Sequence, residues 1–315
     1  MDLFKKTPKI DFMSKRYLAF VLSGLVLTVS IGSFFVRGLN LGIDFTGGTL
    51  IEVEYNKAVD LAEVRSALAR GGFEEAIVQH VGTSKGVMVR IPPRAGLNSA
   101  DLSDRVLEAL KTATGTSVEI RQVEFVGPQV GQELVEDGGL ALVFALIGIL
   151  LYVALRFELR LAVAAVIATL HDLTITAGLV SLLGLQFDLT MLAAILTVAG
   201  YSVNDTIVVF DRIRENFRKL RKEGPIEVMN RSVNETLSRT LVTGPTTLFV
   251  LISLFYLGGA VIDDFALALI LGVVIGTFSS IYVASPVALV LGVSRADLLP
   301  VKKEGAELGG RPSNR

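Results

Sequence analysis

The chain has 315 residues, 51% of them hydrophobic, with a formal net charge of −1 and a mean hydropathy of +0.58. Soluble domains are rarely so apolar, which points to a membrane protein, and near-neutral charge argues against a nucleic-acid binder that works by neutralising phosphates. With no cysteine and only two histidines, His80 and His171, the chain has no disulfide, thiolate site or multi-histidine metal centre.

A bilayer core of about 30 Å takes roughly 17–25 apolar residues as a helix. Six stretches meet that length: Tyr17–Val36, Gly138–Leu155, Leu161–Leu185, Leu189–Phe210, Leu241–Leu257 and Phe265–Leu291. Lys5, Lys6, Lys9, Lys15 and Arg16 precede the first, which is too long for a signal-peptide core and reads as an uncleaved anchor. Arg156 and Arg160 lie between spans 2 and 3. A basic loop, 212–238, follows span 4, and Arg295, Lys302 and Lys303 follow span 6. The turns 186–188 and 258–264 hold neither Lys nor Arg. The positive-inside rule then puts residues 1–16 and 294–315 in the cytoplasm and 37–137 on the outward side of the membrane.

Residues 37–137 read as ordinary soluble sequence. Thr49–Tyr55 alternates as a strand. Asp60 caps a helix carrying Leu61, Val64, Ala67 and Leu68 on one face, and Gly71 and Gly72 end it. Glu75–Val81 and Gly86–Ile91 are two strands, Ser99–Thr112 a second helix and Ser117–Val126 a last strand. The order βαββαβ is that of a ferredoxin-like sandwich. The expected fold is therefore a six-helix transmembrane bundle with one extracytoplasmic α+β domain. His80 stands alone in a strand and reads as structural.

Charges within a bilayer need a reason. Asp205 in span 4 lies seven residues before Arg212, about 10 Å inside the membrane edge. Thr197 and Tyr201 share its face, with Ser202 and Asn204 alongside. Arg239 opens span 5, followed by Thr243 and Thr247 at helical spacing with Thr246 close by. An Asp205–Arg239 ion pair that breaks on protonation would be a proton-coupled switch; the plainer reading of Arg239 is a snorkelling end residue. His171 and Asp172, mid-span in span 3, either relay protons or pair for packing. Asp188, Asp263 and Asp264 are expected to be solvated in the outward turns. Gly272 and Gly276 suggest close helix packing. No phosphate loop, nucleophile triad or HExxH helix occurs, so no enzyme and no cofactor is indicated, and energy must come from a gradient or a partner.

Five segments carry a family resemblance. Gly42–Thr49 (GIDFTGGT) and Val126–Leu134 (VGPQVGQEL) are similar to the two signatures flanking the outer domain in the bacterial SecD/SecF family. Gly200–Asn216 (GYSVNDTIVVFDRIREN), Asn234–Thr240 (NETLSRT) and His171-Asp172 resemble the forms found on the SecF side. The likeness runs from residue 15 to about 293. It implies half of a resistance–nodulation–division type transporter that pairs with SecD, joins the SecYEG channel, has YajC and YidC as further candidate partners, and draws a preprotein across the inner membrane. The coupling ion would be the proton, or sodium as in some marine relatives, and Asp205 and Arg239 would be the coupling residues. Tyr201, Asn204, His171, Asp172, Thr243 and Thr247 would support them. Two other readings remain beside it: a small-molecule efflux half and a non-transporting scaffold. Efflux pumps of that superfamily carry two halves and larger outer domains, and a scaffold has little use for membrane charge.

Overall fold

The computed structural model describes residues 7–94, 99–114 and 117–294. Lys5, Lys6, Arg295, Lys302 and Lys303 lie outside them. Among the described residues, six helical segments are long and apolar enough to cross a membrane. A short 3-10 turn, Met13–Lys15, leads into α1 (Arg16–Val36). The stem of the outer domain holds β1 (Asn40–Leu41) and α2 (Ile43–Thr46). The domain itself is β2 (Gly48–Tyr55), α3 (Leu61–Arg70), β3 (Ile77–Val81), β4 (Thr83–Ile91), α4 (Ser99–Thr114) and β5 (Val118–Val126). The remaining spans are α5 (Pro128–Arg156), α6 (Leu159–Leu183), α7 (Leu189–Lys219) after the short β6 (Gln186–Phe187), and α8 (Pro225–Leu257). The last is α9 (Ala260–Ser279), continued through a π-helical turn, Ser280–Ala284, into α10 (Ser285–Val290).

The domain has the expected βαββαβ order, and its antiparallel sheet runs β3-β4-β2-β5, the arrangement of a ferredoxin-like sandwich. Asp60 caps α3 by accepting the Ala62 N–H at 2.8 Å. Ile51, Val53, Val87 and Val89 from the sheet meet Val64, Leu68, Val106 and Leu110 from the helices in one core. The opposite sheet face looks across a cleft of about 200 Å³ at Gln186, Asp188, Asp263 and Asp264.

Two sequence signatures become one joint. Gly47 and Gly48 have φ of +67° and +122°, a region open to glycine. A Cβ on Gly131 would sit 2.8 Å from the Gly47 nitrogen, so α2 and the first turns of α5 pack backbone to backbone. The stem is also sewn to the α6–α7 turn. β1 pairs in parallel with β6, Asp44 accepts the Leu189 N–H at 3.0 Å, and Arg90 donates to the Leu41 carbonyl and to Asn40 Oδ1.

The helices overrun the expected spans. α5 starts at Pro128, ten residues before Gly138, because Pro at N1 already has helical φ. The 212–238 loop is mostly helix: α7 continues to Lys219 and α8 starts at Pro225. Its charges are largely paired rather than free. Arg212 meets Glu235 at 2.6 Å and Glu215 at 2.5 Å, Arg214 meets Glu158 at 3.2 Å, and Arg156 meets Asp211 at 2.6 Å. Hydropathy sees only the part of a helix that lipid surrounds, so it misses these extensions. Asn234 brackets the Ile10 backbone, accepting its N–H at 2.9 Å and donating to its carbonyl at 2.7 Å, which fixes the N-terminal segment on α8.

Candidate functional site

Asp205 lies at the centre of the bundle, 7% exposed. Thr240 of α8 donates to its Oδ1 at 3.0 Å, and Ser280 of the π turn donates to its Oδ2 at 2.7 Å. A π turn adds a residue to the helical period and re-aims the side chains beyond it, and such turns recur at functional sites. Here Ser280 opens the turn while its N–H still bonds the Gly276 carbonyl in α9 register, so it lies on the α9 face that meets α7. Both donors to the acid are neutral hydroxyls, and that of Ser280 also lies 3.0 Å from the Thr277 carbonyl, a second acceptor for its single proton.

Arg239 is not one of its partners. No Asp205–Arg239 ion pair forms within 4.0 Å, contrary to the pairing expected from sequence; Arg239 is exposed and acts on Asp205 only through space. The reason is helical phase. Thr240 faces α7, so its neighbour Arg239 is turned about 100° away. Arg239 stands at the entrance of the apolar stretch 241–257 as expected, but α8 itself begins earlier, at Pro225, about 21 Å along the axis from Arg239.

A second buried acid lies nearby. Asp172 is fully buried in α6. His171 Nδ1 donates to its Oδ1 at 2.8 Å, and Ser202 of α7 donates to its Oδ2. Ser202 and Asp205 are one turn apart on α7, so both acids lie along one helix. Gly276 lets α9 come close at this level, where a Cβ would meet the Ser202 Cβ at 3.2 Å. Gly272 packs on Val198 in the same way, bearing out the close packing expected of the glycine pair.

The other expected residues divide. Tyr201 and Thr247 come together, with the Tyr201 hydroxyl beside Thr247 and Thr277. Asn204 is exposed and Thr243 half-buried, and neither side chain reaches Asp205. Asp188, Asp263 and Asp264 are not simply solvated. Asp188 caps α7 by accepting the Met191 N–H at 2.7 Å, and Asp264 accepts the Gln186 N–H at 3.2 Å. Burial, with the Asp44 and Asp264 charges adding to it, pushes the Asp188 carboxyl above the usual range. Ser280 and Thr240 were missed from sequence, and Ser202 was placed beside Asp205 without its bond to Asp172. Their signal was there, as hydroxyls in apolar helices at the depth of the two acids.

The family model for the C-terminal part of the protein-export membrane proteins SecD/SecF matches residues 106–294, and that of the SecD/SecF GG motif matches residues 32–59. The chain belongs to the SecD/SecF family. Its GG motif is the Gly47–Gly48 joint described above. A protein translocase subunit SecF from Vibrio alginolyticus is 53% identical over 99% of both chains. One from Escherichia coli O157:H7 is 48% identical over 94% of this chain and 93% of that one. The crystal structure of SecDF, a translocon-associated membrane protein from Thermus thermophilus, superposes on 91% of this chain with a TM-score of 0.84 and 39% identity. A SecDF structure in a super-membrane-facing form superposes over the same share with a TM-score of 0.68 and 38% identity. This chain spans 39% of the length of either SecDF chain.

Proposed function

We propose that the chain is the SecF-type half of a protein translocase, working with a SecD-type half to promote passage of preproteins across the inner membrane. It would lie there as a multi-pass protein with both termini cytoplasmic and the α+β domain outside. SecYEG is the proposed channel partner, with YajC and YidC as further candidates. The observation that carries the reading is Asp205, a buried acid held by two hydroxyls, with Arg239 one residue from Thr240 and turned to the side of α8 that this chain leaves uncovered.

The proton is the proposed coupling ion. A carboxylate accepting two hydroxyl bonds uses both oxygens; adding a proton to one of them turns it from acceptor to donor there. Thr240 or Ser280 must then rotate or withdraw, and Ser280 belongs to a π turn, a helical segment with spare length. Arg239 would be drawn to a carboxylate of the partner half when Asp205 is neutral and back toward Asp205 when it is charged. The chain does no bond-making chemistry in this scheme.

Asp205→Asn keeps the shape and removes the titration. In vesicles carrying the whole translocase, it should abolish the gradient-driven part of preprotein uptake and leave the ATP-driven part intact. Undiminished stimulation by an imposed proton gradient would defeat the proposal, and stimulation that tracks a sodium gradient instead would replace the ion.

A further inference from the structure

A groove of about 420 Å³ opens on the outer surface of the bundle between α1, α6 and α10, where Ile167 and Leu170 are exposed. Phe20, Leu27, Ile167, Leu170 and Val287 line it, and its floor carries Ser23 and His171. The register of the two helices brings this pair together. Ser33 bonds Ser181 at 2.9 Å, and Gly178 lies against Ser30, each pair 148 residues apart; the same offset sets Ser23 beside His171. The His171 side chain is 9% exposed. Its Nε2 and the Ser23 Oγ are both buried without a hydrogen-bond partner.

A polar atom left unsatisfied in a hydrocarbon medium is costly, because no water is there to take the missing bond. Asp172 fixes what His171 asks for. A carboxylate can only accept, so a neutral imidazole here must donate from Nδ1, which leaves Nε2 as an acceptor in need of a donor. The apolar walls offer no counter-charge, which disfavours an ion. Depth excludes a phospholipid headgroup: His171 is about 18 Å along α6 from Leu159, near the middle of the span. Gly24 leaves the wall thin beside Ser23, since a Cβ there would meet nothing within 4 Å.

We propose that this groove binds an uncharged, membrane-dissolved lipophile whose hydroxyl reaches mid-bilayer, donating to His171 Nε2 and accepting from Ser23 Oγ, with Ser23 turning about χ1 to admit it. The bound hydroxyl would complete a polar row across three helices, Ser23, His171, Asp172 and Ser202. Occupancy of a lateral lipid site would then bear directly on the buried acid of α6. This assignment is independent of the export reading.

The two histidines make the test direct. In the His80→Gln background, the full-length chain labelled with nitrogen-15 histidine carries one imidazole. It is placed in nanodiscs containing either stearate or hydroxystearate with its hydroxyl at mid-chain, both as uncharged methyl esters. The Nε2 resonance should move with hydroxystearate and stay put with stearate. Ser23→Ala should raise the hydroxystearate needed for half the shift by about five-fold, the loss of one neutral hydrogen bond. Gly24→Leu fills the groove without a backbone clash and should abolish the shift, with the Nδ1 resonance unchanged as a sign that the Asp172 bond and the fold are intact. Identical spectra in the two lipids would overturn the proposal, as would a shift that persists in Gly24→Leu.

Discussion

Helices α5 and α6 are consecutive in the chain and both cross the membrane, yet 6% of the apolar window of α5 is buried against 61% of that of α6. The more apolar helix is the more exposed. In water the opposite holds, because apolar surface seeks the core; lipid tails are as apolar as leucine, so only polar and small groups have a reason to face inward. α6 therefore hides Asp172, Thr169, Thr176, Gly178 and Ser181, while α5 presents Leu140, Phe144, Ile147 and Leu151 to the outside. α8 breaks the pattern. It carries Arg239, Thr243, Thr246 and Thr247, and only 17% of its window is buried. A helix with that much polarity and so little cover lacks its neighbour, which is the physical case for a second half.

The sharpest way to break this comparison is at Arg239. Arg239→Leu should make α8 look like α5, remove gradient-driven preprotein uptake at least ten-fold, and change the thermal stability of the isolated chain by less than about 0.5 kcal/mol, as for other exposed sites. A large loss of stability instead would mean that Arg239 serves this chain's own packing. Next comes one substitution placed in both regions. Gly272→Ala pushes a methyl into Val198 and should cost about 1–3 kcal/mol by overpacking, whereas Gly148→Ala on α5, where a Cβ meets nothing within 4 Å, should be neutral or slightly stabilising. Equal effects in a denaturation series would refute the division into buried and open helices.

The smallest effect expected is electrostatic and belongs to the junction below the domain. Because the folded-state value of Asp188 is raised, the unfolded chain gives up that proton first as pH rises, and folding bears a cost that is absent below the ordinary aspartate value of about 3.9 and grows until the pH has passed the raised folded-state value. Asp188→Asn retains an N-cap acceptor and should therefore melt higher than the parent at neutral pH, with the difference closing on acidification. A gap independent of pH would point to the cap and not the charge.

Much of this architecture was legible in the sequence. The six spans emerge from hydropathy, and the α3 cap and the sheet order from alternation and the βαββαβ sequence. The depth of Asp205 was also readable, because a lone carboxylate in an apolar run stands out against any helical phase. Its partners were not. Ser280 reaches it from one turn beyond Gly276, on the α9 face that packs against α7, and Thr240 displaces Arg239 by a rotation of one residue; pattern cannot draw either distinction without knowing which faces meet α7. The burial of Asp188 depends on the domain docking over the turn, a long-range event with no local signal.

The pairing of β1 with β6 has a mechanical consequence. It removes the free swivel that a stem between a span and an extramembrane domain would otherwise have, because the stem is hydrogen-bonded to the corner where α6 becomes α7. Arg90 adds a rigid strut from β4 of the sheet to the same stem. Torque on the outer domain is thus delivered to the ends of the two helices that carry Asp172 and Asp205, and strain in those helices is returned to the domain by the same two-strand gear.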